Sequence, residues 1–503
     1  MYPPLFIRVR ITVAAMVTTA AAAVLLGGCT VGPAYHAPPD TLTPAFANQA
    51  ALTGRAAVGA APQLDQWWLG FADPVLTGIV SRALDENLDL AAALARVDQA
   101  RAAAQEAGAV RLPQASLDGS SFYQRQSLES PEGEIASALP GYDRSQTLNS
   151  LGVGASWEVD LAGGLRRGQQ AALAELQAAQ AARTGVRISI AAESADAYFR
   201  IRGAQQRLAV ASEQIDTQEN LVRLVQDRLN GGLATNRELA QAQALLLEAR
   251  TTLPPLRIEL AQQQHRLDVL MGAQPDTYAP NLTAAAGVFT VPAIAADLTP
   301  SDLLRRRPDV IAAERRLAAS NARIGVAIAE YYPRVSLAGL AGFESLNSRL
   351  FAAAAFQPQA LLGLHWRLFD FGKVDAEVSQ ARGVYAQQLA EYRQSILRAT
   401  EDVEDSIVAL TELEQQRADL GREIDADREA RDAAQDAYAG GAVSLIEVLD
   451  ADRELLSARD QLARVDADDA RAAVAVFRAL GGGWESAPPP QIAAASSARP
   501  NRE

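Results

Sequence analysis

The chain of 503 residues holds one cysteine, Cys29, three histidines and one lysine, Lys373. A lone thiol has no internal partner, so a disulfide framework is excluded. His36, His265 and His365 stand far apart, and with Cys29 they make no spacing that holds a metal or builds a nucleophilic triad. The sequence therefore predicts no cofactor, no metal and no enzymatic reaction. Positive charge is short as well: 46 Lys and Arg against 60 Asp and Glu give a formal net charge of −14. Nucleic acid demands the opposite footprint and is excluded as a partner. Proline is missing from residues 164–229 and 373–438, and that absence permits helices of uncommon length.

What is present begins with an address. Arg8 and Arg10 precede an apolar run from Ile11 to Leu26, closed by Leu26-Gly27-Gly28-Cys29. A charged start, an apolar stretch and a small-residue cleavage site make 1–28 a secretory signal rather than a membrane span. Small residues directly before the cysteine suit lipoprotein processing. Cys29 is thus expected to carry a diacylglyceryl group that ties the segment 29–72 to a membrane surface. Thr30 follows in place of Asp, as in lipoproteins sorted to an outer membrane. Losing the signal removes two arginines and no acids, which takes the charge from −14 to −16.

The remainder repeats itself. Asn87-Leu88-Asp89-Leu90 through Leu112-Pro113-Gln114-Ala115-Ser116-Leu117 reads against Arg307-Pro308-Asp309-Val310 through Tyr332-Pro333-Arg334-Val335-Ser336-Leu337. Trp157-Glu158-Val159 before Gly163 matches Trp366-Arg367-Leu368 before Gly372, and Leu229-Asn230-Gly231-Gly232 matches Tyr438-Ala439-Gly440-Gly441. Each copy reads as helix, strand hairpin, long helix, tight turn and helix. The first spans 73–300, with a hairpin over about 114–160, helices over 164–229 and 235–271, and a linker. The second spans 301–485, with a hairpin over about 334–369 and helices over 373–438 and 444–480. The tail 486–503, rich in Pro, Ala and Ser, is expected to be disordered.

At 1.5 Å per residue each long helix would run roughly 100 Å, wider than a compact domain. In the second, Leu389, Ile396, Val403, Leu410 and Ile424 keep one seven-residue repeat, broken only by Arg417, which marks a coiled-coil seam. Between the helices the period falls to 2. Leu151, Val153, Ala155, Trp157 and Val159 alternate with Ser150, Gly152, Gly154, Ser156 and Glu158. Leu362, Leu364, Trp366 and Leu368 alternate with Leu361, Gly363, His365 and Arg367. Val335, Leu337, Gly339, Ala341 and Phe343 make a third face; Ala115, Leu117, Gly119, Ser121 and Tyr123 make a weaker fourth. Segments of about ten residues with aromatics near their ends suit membrane strands, and also suit a soluble sheet with one wet face. Four strands cannot close a barrel, and lipid leaves open edges unsatisfied, so the membrane reading requires several copies sharing one barrel. The helical seams ask for the same oligomer.

The turns after the long helices carry their own signals. Gly231-Gly232 and Gly440-Gly441 stand where a left-handed cap is needed. Thr235 with Glu238, and Ser444 with Glu447, read as capping boxes that restart the helix. Asp450 lies beyond the first turn, too far for a cap, and i,i+3 from Glu447.

Four further motifs stand in order along nearly the whole mature chain: Cys29-Thr30-Val31-Gly32-Pro33; Trp67-Trp68 with Phe71-Ala72-Asp73-Pro74; Asp302-Leu303-Leu304-Arg305-Arg306-Arg307-Pro308-Asp309; and Ala479-Leu480-Gly481-Gly482-Gly483-Trp484. In these the sequence resembles the TolC family, in the lipoprotein branch (NodT/OprM-like) that pairs with resistance–nodulation–division (RND) drug pumps. The resemblance implies a mixed α+β fold, mainly α: a trimeric 12-stranded transmembrane β-barrel, four strands per chain, continued by a long periplasmic α-helical barrel. The residues around 271–300 and the stretch after Ala470 would form a belt around it. It implies the outer-membrane channel of a tripartite efflux pump, lipid-anchored and set in outer-membrane lipid as a homotrimer. That channel passively conducts small molecules handed on by an inner-membrane RND transporter and a periplasmic adaptor (membrane fusion protein). Gly231, Gly232, Gly440 and Gly441 would then mark the adaptor-contacting turns. Ile446, Glu447 and Asp450 match the rings of a periplasmic gate. Tyr438 and Glu238 match a tip-locking network, although Val443 stands where some members carry an arginine. Other readings also fit the residues. One is a type I secretion or metal-efflux conduit of the same family; another is a lipid-anchored coiled-coil scaffold without a pore.

Overall fold

A computed structural model describes residues 30–39, 42–55, 61–278, 282, 289–294, 299–346 and 349–485. The expected signal segment 1–28, the cysteine at position 29 and the tail 486–503 lie outside the described residues. The chain forms two compact units, each drawn from both sequence repeats. One unit takes Arg96–Ala179 and Ala313–Tyr392 together with the residues up to Pro38; the other takes Pro39–Ala95, Gln180–Ala312 and the chain from Arg393 onward.

The first unit holds the sheet. Strands β1 (Gln114–Arg125), β2 (Ser145–Val159), β3 (Arg334–Ser345) and β4 (Phe356–His365) pair antiparallel in sequence order. The register sets Leu117 opposite Val153, Val153 opposite Ala341, and Ala341 opposite Pro358. Further along, Trp157 stands opposite Leu337 and Leu337 opposite Leu362. Residues directly opposite one another share a face, so the four apolar rows of the sequence merge into one apolar face. Asp118, Gly152, Gly342 and Gln357 lie across the other. Phe343 packs on Phe351 and Phe356 at the hairpin end of the apolar face. From Phe356 to Trp366 the chain advances about 33 Å, or about 25 Å of depth at a tilt near 40°, the height of a lipid-facing band. β1 and β4 are edges and pair with no further strand among the described residues. The loop between β1 and β2 contains a short helix, Pro131–Ser137, started by Ser130 as its cap; the polar composition there concealed it.

Each hairpin is fastened at its base in the same way. The Trp157 indole donates to the carbonyl of Arg111, and the Trp366 indole to that of Tyr331, both at 3.0 Å. The residues just after position 29 are tied to the same unit. Val31 N–H donates to the Ala162 carbonyl at 3.0 Å, and Arg167 reaches the carbonyls of Val31 and Gly32 at 3.0 and 3.1 Å. Gly32 adopts φ +86°, and a Cβ there would meet the Gly325 Cα at 2.5 Å, so no larger residue fits.

The long helices are those the proline-free stretches predict. In the order of the chain, the longer helices are α1 (Pro74–Glu86), α2 (Leu88–Ala109), α3 (Gly164–Asn230), α4 (Asn236–Thr251), α5 (Leu253–Leu270), α6 (Pro308–Ala329), α7 (Lys373–Ala439) and α8 (Leu445–Ala479). Helices α3 and α7 have 67 residues each. Asp160 accepts from the N–H groups of Leu165 and Arg166, and Asp370 from those of Gly372 and Val374, which starts both. The sequence reading of one helix over 235–271 is corrected to two. Pro254 and Pro255 supply no N–H to the helical ladder, and the chain breaks at Thr252. The matching positions of the second copy are Ala463 and Arg464, and α8 runs on through them.

In the second unit the family-like motifs are packing devices. Trp67 is fully buried and stacks on Phe477 at 5.5 Å, with Trp68 and Phe71 edge-on to it. Asp73 caps α1 through the N–H groups of Val75 and Leu76, and also accepts from the Tyr198 hydroxyl at 2.5 Å. Gly483 N–H donates to the Leu64 carbonyl at 2.7 Å. Arg307 forks onto Asp309, reaches Asp402 at 2.8 Å and donates to the Ala479 carbonyl at 3.3 Å. Burial alone would raise the Asp309 carboxyl, but the Arg307 guanidinium outweighs it and holds that acid below its usual range. These contacts join the residues just before the first repeat, and the start of the second, to the end of the second. Among the described residues no helix is long and apolar enough to cross a membrane.

Candidate functional site

The turns that follow α3 and α7 lie in the second unit and have the same hydrogen bonding. Leu233 N–H donates to the Arg228 carbonyl and Gly232 N–H to that of Leu229; Ala442 and Gly441 do the same to Ala437 and Tyr438. This is a Schellman closure. It requires a left-handed residue at the second glycine of each pair, where φ is +74° at Gly232 and +77° at Gly441. Gly231 and Gly440 need no such conformation, and a Cβ at either meets only ordinary contacts at 3.6 Å.

Both capping boxes form, with unequal grip. The Glu238 carboxylate accepts from the Thr235 N–H at 2.6 Å and from its hydroxyl at 2.8 Å. Those two donors, the backbone one foremost, hold its pKa below the usual glutamate range. Glu447 accepts from the Ser444 N–H at 3.5 Å, a long contact.

Helix α8 starts with one buried side and one open side. Leu445, Val448, Leu449 and Asp452 are buried, while Ile446, Glu447 and Asp450 share the open side. Ile446 is 44% exposed, a large apolar side chain left without cover. The Asp450 carboxylate lies 3.8 Å from Arg453, one turn on, and both are well exposed. Such a pair is weak.

Tyr438 and Glu238 are near enough to interact electrostatically, but no hydrogen bond joins them; the Glu238 carboxylate is occupied by its own cap. The partner of Tyr438 is Arg228, which the sequence reading missed. Its guanidinium lies 4.4 Å from the centre of the Tyr438 ring, and its Nη1 is 3.3 Å from the Tyr438 carbonyl oxygen. Around the pair, Leu221, Val225 and Ala242 of the first hairpin pack with Leu445, Val448 and Leu449 of the second. Val443 is partly buried against the same cluster. Val443, which the sequence already showed in place of the arginine of some members, thus packs as an apolar residue, and the cation beside Tyr438 comes from the other hairpin. Among the described residues no three His, Cys, Asp or Glu side chains are grouped to hold a metal.

The family described as outer membrane efflux protein matches residues 79–273 and 299–482. The pyoverdine export outer membrane protein OpmQ of Pseudomonas putida is 36% identical over 429 residues, 84% of this chain and 89% of that one. Nodulation protein T of Rhizobium leguminosarum bv. viciae is 28% identical over 462 residues, 92% of both chains. Among solved structures, the outer-membrane channel OprN superposes with a TM-score of 0.81 at 32% identity, over 91% of this chain and 100% of that one. With both repeats matched in order and the four-stranded sheet and paired long helices in place, the chain belongs to the outer membrane efflux protein family.

Proposed function

We propose that three copies of this chain form one outer-membrane efflux channel, each giving four strands to a closed barrel and a set of long helices to the conduit below it. The observation that carries this reading is the sheet. It has a single apolar face about one bilayer deep and two edges without partners among the described residues. Lipid satisfies no backbone group, so such a sheet must close on further copies of itself. Conduction is passive. Substrate arrives from an inner-membrane RND transporter through a periplasmic adaptor, which contacts the turns at 231–232 and 440–441. Relatives bear the names of pyoverdine export and toluene efflux, so cargo differs within the family and selection at the pump fits this range.

An acylated Cys29 anchors the N-terminus, and the bonds from Val31, Gly32 and Arg167 tie that end of the chain to the unit that holds the sheet. At the far turns, Ile446 gives an apolar ring and Asp450 with Glu447 an acidic one that draws cations. Planar-bilayer recording tests the reading. Wild-type protein should give cation-selective channels blocked by multivalent cations from the periplasmic side, and Asp450→Ala should weaken both properties. Unchanged selectivity and block in Asp450→Ala would make Asp450 an ordinary solvated residue. For the anchor, Cys29→Ser should abolish incorporation of labelled palmitate; equal labelling would remove the lipoprotein reading.

A further inference from the structure

We propose that Arg228 latches the two helical hairpins together by stacking on Tyr438, and that this pair sets the resting conductance of the channel. The inference rests on the channel reading above. Arg228 belongs to the last turn of α3 and Tyr438 to the last turn of α7, so the contact joins hairpin α3–α4 to hairpin α7–α8. The repeat places Ala437 where the first copy has Arg228, and Leu229 where the second has Tyr438. Neither hairpin carries both members. The pair exists only between them.

The surroundings make the stacking count. Leu221, Val225, Ala242, Leu445, Val448 and Leu449 pack with the Tyr438 ring, Arg228 lies half-buried over it, and a cation over an aromatic face is held more firmly as water is excluded. Glu238 cannot take over this role, because its carboxylate is bound by Thr235. The closed contact also carries a bias toward release. The Tyr438 hydroxyl and the Arg228 Nε are both buried without a hydrogen-bond partner within the described residues. Separation of the hairpins would let water reach both atoms, which favours the open arrangement once it begins. The latch is thus firm in apolar surroundings and conditional on their staying dry. Any motion that draws α7–α8 away from α3–α4 must break it.

Resting conductance in planar bilayers, with vancomycin susceptibility of cells as a second readout, tests the pair. Arg228→Ala and Tyr438→Leu should each shift the closed-to-open ratio by about tenfold per latch, the equivalent of about 1.4 kcal/mol. Arg228→Lys keeps the charge but loses the flat stacking group, and should fall between; it carries the test if Arg228→Ala fails to assemble. Tyr438→Phe keeps the ring and should shift the ratio by less than about threefold, since stacking rather than the hydroxyl is involved. The double variant Arg228→Ala/Tyr438→Leu should leak no more than either single variant. A purely structural role would lower the melting temperature of the assembled protein and leave resting conductance alone. Assembled Arg228→Ala protein with wild-type resting conductance, alongside Ile446→Ala protein that leaks, would overturn the latch. Additive single variants would overturn it too. Wild-type protein that never conducts would remove the channel reading itself, and the latch with it.

Discussion

At residues 228–238 the chain leaves a long helix, turns and enters another; at 437–447 it does so again with the same pattern of hydrogen bonds. Gly232 and Gly441 take the same left-handed conformation, and Glu238 and Glu447 both sit at the third position of the helix that follows. Between those fixed points the side chains part. Arg228-Leu229 faces Ala437-Tyr438 in the repeat, and Asn236-Arg237 faces Leu445-Ile446. The first returning helix starts polar and exposed; the second starts on buried Leu445 and leaves Ile446 bare. What the backbone demands is kept in both copies, and the side chains around it differ. The difference continues along the returning helices. Asp469 of α8 is buried where the matching residue of α5 is Leu260, and Asp452 is buried where it is Gln243.

The largest expected effect breaks that last asymmetry. Burial, with the negative charge of Glu414 close by, pushes the Asp469 carboxyl up to about 7; Arg417 and Arg55 offset only part of this. A carboxyl raised above its unfolded value holds its proton more tightly in the folded chain. Its contribution is complete below the unfolded value near 4 and is lost as pH climbs to about 7, on the order of 2–4 kcal/mol in all. Asp469→Asn should flatten the fall in melting temperature across that window. A slope equal to wild type would show that Asp469 does not titrate there.

Next come the glycines, where the comparison predicts identical behaviour in both copies. Gly232→Ala and Gly441→Ala should each cost about 1–2 kcal/mol, because a side chain is strained in the left-handed conformation. Gly231→Ala and Gly440→Ala should be neutral or stabilise by up to about 1 kcal/mol. Denaturant unfolding of the four variants distinguishes the positions; equal losses within a pair would contradict the closure geometry. The smallest effect sharpens the contrast between the caps. Glu238→Ala should cost about 1 kcal/mol and Glu447→Ala only a few tenths, in line with their contacts of 2.6 and 3.5 Å. Because the Glu238 pKa is depressed, its cap is present at neutral pH and is lost as pH falls through that lowered value. A loss at Glu447 equal to that at Glu238 would mean that the long contact understates the second cap.

Strand faces, long helices and helix restarts were legible in the sequence because each follows a local rule: period 2, absence of proline, or a cap residue at fixed spacing. The faces merged across four strands because each strand carried its own alternation. The Arg228–Tyr438 contact was not legible. Its members lie 210 residues apart and belong to no periodic pattern. Asp469 was hidden for a related reason, since an acid in a charged helix reads as solvated until packing buries it. The motifs around Arg307 and Trp484 pointed to the family, yet their work of fastening chain ends depends on carbonyls such as those of Ala479 and Arg306 that no motif names.

The measurement closest to the central claim is the mass of the detergent-extracted protein by light scattering. In the proposed channel the edges of β1 and β4, unpaired among the described residues, are completed by neighbouring copies. Three chains per particle are expected, with no stable folded monomer at any dilution that preserves helix and strand content. Val153→Arg, on the apolar face, should weaken assembly in lipid by about 2–4 kcal/mol, and Gly154→Arg on the opposite face by less. A monodisperse monomer with full helix and strand content would contradict the shared barrel.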